Sequence, residues 1–173
     1  MFGNVFYRAA GGSFGAVFSH GGHDNTVRNC IFIECPLALG SAPWKDNSWK
    51  EWLTGALWQD KLLKEVDITK APYAERYPEL RGFLEFAGEP RRNHATANLI
   101  VNCRAVQTGN WDVTDTFLTD HDPGFINSAK LDFRLRDDSS AFTNLAGFGK
   151  IPFAQIGLQR DEFRRTLGKD GSR

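Results

Sequence analysis

The sequence predicts an all-β fold, a right-handed parallel β-helix of C-terminal coils and a cap, with an inserted α-helix. Three observations lead there. The unit Val5-Phe6-Tyr7-Arg8-Ala9 returns as Ile31-Phe32-Ile33-Glu34-Cys35 and as Leu99-Ile100-Val101-Asn102-Cys103. Each copy is followed by a small apolar pair, Ala16-Val17, Ala38-Leu39 and Ala105-Val106. A strand that recurs with the same parity is the mark of stacked repeats. The interval from Ala16 to Ala38 is too short for helical crossovers between parallel strands, so winding is the expected solution.

Within each copy, alternation sets the faces. Val5, Tyr7, Ala9 and their counterparts are expected to point inward. Phe6, Phe32 and Ile100 then form an outer apolar stripe that needs cover from another element. Arg8 should meet Glu34 on the neighbouring layer as an exposed ion pair. Cys35 and Cys103 share the slot that Ala9 fills in the first copy, which predicts stacked, buried thiols behaving as small hydrophobes. The bend Gly21-Gly22-His23-Asp24-Asn25 is built of turn residues, and Asn25 aligns with Asn93, so the two amides should stack.

Residues 41–92 interrupt the repeats. Asn47 or Ser48 caps a helix running to about Val66. Trp49, Trp52, Leu53, Ala56 and Leu57 lie on one of its faces, which is expected to cover Phe32. The stretch from Asp67 to Pro90 reads as an irregular excursion. Residues 1–122 are thus expected to hold the coils, with the insertion at about 41–92, and residues 123–173 a capping segment. That segment opens on the turn Asp122-Pro123-Gly124-Phe125, continues in the alternating Leu131–Leu135, and returns through the apolar Ile151–Leu158. At the other end, Met1 stands almost inside a strand. Its open edge points to upstream coils or to self-association.

Lysine plus arginine balance aspartate plus glutamate, for a net charge of +0. This argues against a dedicated nucleic-acid binder, which carries a basic excess. No apolar run approaches the roughly 20 residues needed to span a bilayer, and no signal peptide opens the chain. The three cysteines lack the spacing of a metal site, and the spacing of His20, His23 and Asp24 fits no well-supported metal motif, so no metal is expected; no cofactor is expected either.

Residues Ala16 to Phe32, the Pro43-Trp44 to Trp52 stretch, Arg76-Tyr77-Pro78-Glu79-Leu80, Asp122-Pro123-Gly124-Phe125, Asp132-Phe133-Arg134-Leu135, Ser139-Ser140-Ala141-Phe142 and Ile151–Leu158 carry a resemblance. Together they resemble the late coils of bacterial right-handed β-helix glycan-processing proteins. That group includes α-L-fucosidase-like glycoside hydrolases and pectate-lyase-like relatives. The resemblance implies a carbohydrate-active module whose partner is a glycan or polysaccharide. It also implies a secreted or periplasmic location. The alternatives are a non-catalytic capping or glycan-binding segment of a larger protein, or a polysaccharide-lyase-like module.

Glycoside hydrolysis typically uses two carboxylates. Asp24, flanked by His20 and His23 on the Gly-Gly bend, is the first candidate for acid, base or nucleophile. Asp46 is the second, brought near if the inserted helix folds back. Trp44 and Trp111 are candidate platforms for sugar rings. The carboxylates Asp112, Asp115, Asp120 and Asp122 read as a solvated loop rather than a calcium site.

Overall fold

A computed structural model of the chain describes residues 1–11, 14–43, 48–86, 88–157 and 160–163. The described residues form ten strands and several short helices. β1 (Val5–Tyr7), β3 (Thr26–Arg28), β4 (Ile31–Ile33), β6 (His94–Val101) and β8 (Asp112–Thr119) form one sheet, with every pairing parallel. β2 (Val17–His20), β5 (Leu39–Ala42) and β7 (Gln107–Thr108) form a second parallel sheet. β9 (Phe125–Asn127) and β10 (Asp132–Leu135) make an antiparallel pair.

The aligned repeats do meet in register. Val5 pairs with Ile31, and Ile31 pairs with Leu99. The fold class expected from them is nevertheless corrected. The chain is a mixed α/β structure, about 21% helical and 28% strand, with both parallel and antiparallel sheets and neither a solenoid nor a closed barrel among the described residues. The physical reason lies in the connections. Successive layers are separated by 26, 68 and 18 residues, so no constant turn of chain repeats. The longest interval carries α1 (Ser48–Thr54), α2 (Ala56–Gln59), a π-helical turn over Asp60–Glu65 and α3 (Tyr73–Arg76).

The two faces of the first sheet are also assigned differently. Phe6, Phe32 and Ile100 face the second sheet, in a core with Val27, Cys30, Cys35, Ala38, Leu39, Ala95 and Trp111. Phe32 is 0% exposed and stacks on Phe6, centroids 4.8 Å apart. The other parity, Ile31, Ile33, Leu99 and Val101, packs under Phe125, Phe133, Ala141, Leu145, Phe148 and Ile151. A sheet buried on both faces carries apolar residues at both parities, and alternation then cannot say which cover each face receives. The cover over Phe32 is therefore the second sheet, not α1. Trp52 of α1 is 51% exposed and meets Trp58 edge-on at 4.8 Å. The side chain of Trp49 lies outside the described residues.

Left-handed residues recur at matching positions in neighbouring layers. Gly3, Asn29, Ala97 and Asp115 form one set, with φ between 42° and 66°. Arg8, Glu34 and Asn102 form a second, and Asp24 and Arg92 a third. A non-glycine residue in this region costs about 1–3 kcal/mol, so the bends persist only where neighbours hold them. At the first set the holder is Asn98, which is 2% exposed. Its Oδ1 accepts the Cys30 N–H at 2.9 Å and its Nδ2 donates to the Val27 carbonyl at 3.0 Å. Asn98 thereby satisfies backbone groups that the bend at Asn29 takes out of the ladder.

Asn29 in turn clamps the covering segment. Its Oδ1 accepts the Gly149 N–H at 2.6 Å and its Nδ2 donates to the Gly149 carbonyl at 3.1 Å. No helix among the described residues is long and apolar enough to cross a membrane.

Candidate functional site

The bend between β2 and β3 contains His20, His23 and Asp24. Gly21 turns it with φ +68°, and a Cβ there would stand 2.9 Å from the Gly88 carbonyl oxygen. The asparagines stack as expected. Asn93 Oδ1 accepts from Asn25 Nδ2 at 2.9 Å and from the Asn25 N–H at 3.1 Å, while Asn93 Nδ2 donates to the Gly22 carbonyl at 3.1 Å.

Asp24 sits on this bend next to His23, whose Nδ1 contacts Asp24 Oδ2. Its principal partner is Arg92, one layer away. Nε and Nη2 of Arg92 donate to the two carboxylate oxygens at 2.6 and 2.7 Å. The Arg92 guanidinium, aided by His23 and opposed by partial burial, holds the Asp24 carboxyl down to about 2. A carboxyl with that value stays ionised at neutral pH and has no proton to give. The bend therefore looks fastened rather than poised. His20 is exposed at the end of β2, its ring 5.8 Å from that of Phe18. The His23 ring lies 5.7 Å from Phe83.

A titration follows. Folding lowers the Asp24 value below its ordinary 3.8, so the carboxylate stabilises the fold fully above about pH 4 and stops doing so as pH falls through about 2. Arg92→Ala should flatten the acid limb of a plot of melting temperature against pH. An unchanged acid limb would remove Arg92 from this role.

Trp111 is buried, with its Nε1–H donated to the Gly40 carbonyl at 3.0 Å, and it presents no open face to a ligand. Trp44 and Asp46 lie outside the described residues. Among the described residues no group of three or more His, Cys, Asp or Glu side chains is placed to hold a metal ion.

The polar groups that do converge lie at the second left-handed set. A cleft of about 340 Å³ runs beside Tyr7, Arg8, Glu34, Asn102, Asp122 and Phe133. β1, β4 and β6 supply Tyr7, Arg8, Glu34 and Asn102 from their C-terminal ends, and the β8–β9 loop supplies Asp122. Arg8 Nε donates to Glu34 Oε2 at 2.6 Å, and its guanidinium lies 4.9 Å from the centre of the Tyr7 ring. The Tyr7 ring leans on Phe133 at 5.0 Å. Asp122 Oδ1 accepts the N–H groups of Gly124 and Phe125, both at 2.8 Å, which fixes the loop. The Asn102 side-chain amide makes no hydrogen bond among the described residues, which leaves a donor and an acceptor open beside the cleft.

A larger cleft of about 810 Å³ lies beyond Phe133, over an apolar floor that includes Phe148, Ile151 and Phe153. Of its cations, Arg134 is engaged by Asp132 and Lys150 by Asp137, while Lys130 forms no ion pair among the described residues.

Two features of these sites differ in how far the sequence could show them. The partnership of Arg92 with Asp24 was within reach, because the offset that aligns Asn25 with Asn93 also aligns their neighbours. The sharing of one cleft by Glu34 and Asp122 has no such signal, since it depends on how the covering segment returns. Comparison with protein-family models, with curated proteins and with solved structures gives no match to this chain.

Proposed function

We propose that the chain is a carbohydrate-active module that holds part of a glycan in the cleft beside Tyr7, Asn102 and Phe133. The observation that carries this reading is the convergence in one cleft of two carboxylates, a guanidinium, a free amide and three aromatic rings. Sugar rings offer hydroxyl groups, which pair with carboxylates and amides, and C–H faces, which rest on aromatic rings. The cleft also falls within the usual size of small-ligand sites, about 300–1,000 Å³.

Glycan-array screening followed by titration calorimetry tests it. Asn102→Ala and Tyr7→Ala should each weaken binding about tenfold or more, equivalent to roughly 1.4 kcal/mol. Unaltered affinity in both variants, or no binding across neutral and acidic glycans, would reject the cleft.

Hydrolysis is a second reading, favoured by the presence of Glu34 and Asp122 on the same cleft. It requires product release that Glu34→Gln abolishes and Asp24→Asn leaves intact. The Asp24-centred version has weaker support, because Arg92 already occupies both oxygens of that carboxylate.

A further inference from the structure

We propose that Cys35 and Cys103 are an oxidisable dithiol, which peroxide converts to an intramolecular disulfide joining two layers of the first sheet. The proposal stands apart from the glycan reading and rests on placement. Ile33 pairs with Val101, and the next backbone bonds, Glu34 N–H to Val101 at 2.9 Å and Arg104 N–H to Cys35 at 3.2 Å, carry the register through the bend. Cys35 and Cys103 thus occupy equivalent positions on neighbouring layers. Adjacent strands are about 4.8 Å apart, inside the 4.4–6.8 Å that a disulfide spans between Cα atoms. Both residues are free thiols, the Cys35 Sγ–H 3.5 Å from the Ile33 carbonyl and 3.6 Å from that of Phe6, the Cys103 Sγ–H 3.6 Å from that of Val101.

Access comes from one side. Cys35 is buried, whereas Cys103 is partly exposed and lines an open cleft of about 310 Å³ with Asn102, Leu118, Thr119 and Asp120. Cys30 provides the contrast. It is fully buried with its Sγ–H directed at the Arg28 carbonyl, 3.3 Å away, and burial pushes its thiol up.

The two thiols shift one another, which makes the pair, rather than either residue, the unit that ionises. Its neighbour Cys103 brings Cys35 down to about 7, while Cys35 and burial push Cys103 up.

The chemistry balances with hydrogen peroxide as oxidant. A thiolate electron pair attacks one peroxide oxygen, an S–O bond forms, the O–O bond breaks and hydroxide leaves. Hydroxide takes the proton of the second thiol and departs as water. That second thiolate attacks the sulfenic sulfur, the S–S bond forms and the S–O bond breaks. The departing hydroxide takes up the proton released at the first ionisation. Two thiols and one peroxide yield one disulfide and two waters.

The reduced full chain is treated with hydrogen peroxide, blocked with N-ethylmaleimide and digested after Lys, Arg and Glu. Cleavage at Glu34 separates Cys30 from Cys35. The expected result is a linked pair of peptides carrying Cys35 and Cys103, formed at least about tenfold faster than Cys30 loses its alkylatable thiol. Cys103→Ala and Cys35→Ala should each lose the crosslink. Sulfinic acid at Cys103 with Cys35 still alkylated would overturn the proposal, as would a bond through Cys30 or between two chains. The wild-type peptide map decides the matter even if a variant fails to fold.

Discussion

Phe32→Ala lowers the free energy of unfolding by about 3–5 kcal/mol, the range for deleting a large buried aromatic ring. Its ring is fully enclosed between the two parallel sheets, stacked on Phe6 and packed among residues that include Leu39, Ile100 and Trp111. The void cannot close easily, because backbone hydrogen bonds to neighbouring layers fix the strands on both sides. Domains of this size have only about 5–15 kcal/mol in total, so the variant sits near the threshold of folding. Trp52→Ala, at an exposed position, removes a larger ring yet should shift stability far less. Denaturant unfolding of the two variants side by side measures the difference. Equal effects would mean that the sheets do not enclose Phe32.

Asn98→Leu is the second large effect, a loss of about 2–4 kcal/mol. Leucine repeats the branched heavy-atom skeleton of asparagine in a larger volume, so some overpacking adds to the loss at this buried site. It strands the Cys30 N–H and the Val27 carbonyl in the interior, and each such orphan costs about 1–3 kcal/mol. It also removes the support for the left-handed bend at Asn29, through which the 148–151 segment is fastened. Amide hydrogen exchange gives a finer readout, with faster exchange at Cys30 and Gly149 than at β8. Wild-type stability and exchange would show that the bend does not depend on Asn98.

The register of the repeats was legible because in-register parallel strands place like beside like. Val5, Ile31 and Leu99 align by eye and pair in space, as do Asn25 with Asn93 and Arg8 with Glu34. The fold class was not legible, because three matching segments say nothing about the path between them. The covers were hidden for a related reason. Ile31 and Phe32 are both apolar and both buried, and nothing in their alternation distinguishes the second sheet from the covering segment. The left-handed positions were half legible. Asn and Asp favour that conformation, but Ala97 and Arg92 give no sign of it. At the candidate sites, the contact of His23 with Asp24 follows from adjacency, while the cleft at Glu34 and Asp122 is assembled only by the returning segment.

The unequal steps between layers have an evolutionary corollary. Pairing of β4 with β6 tolerates dozens of intervening residues as readily as pairing of β6 with β8 tolerates a short loop. Closure entropy rises only about 0.6 kcal/mol for each doubling of loop length. The junction after β5 is therefore a permissive port, where whole modules can be grafted or trimmed and the neighbouring strands still find one another.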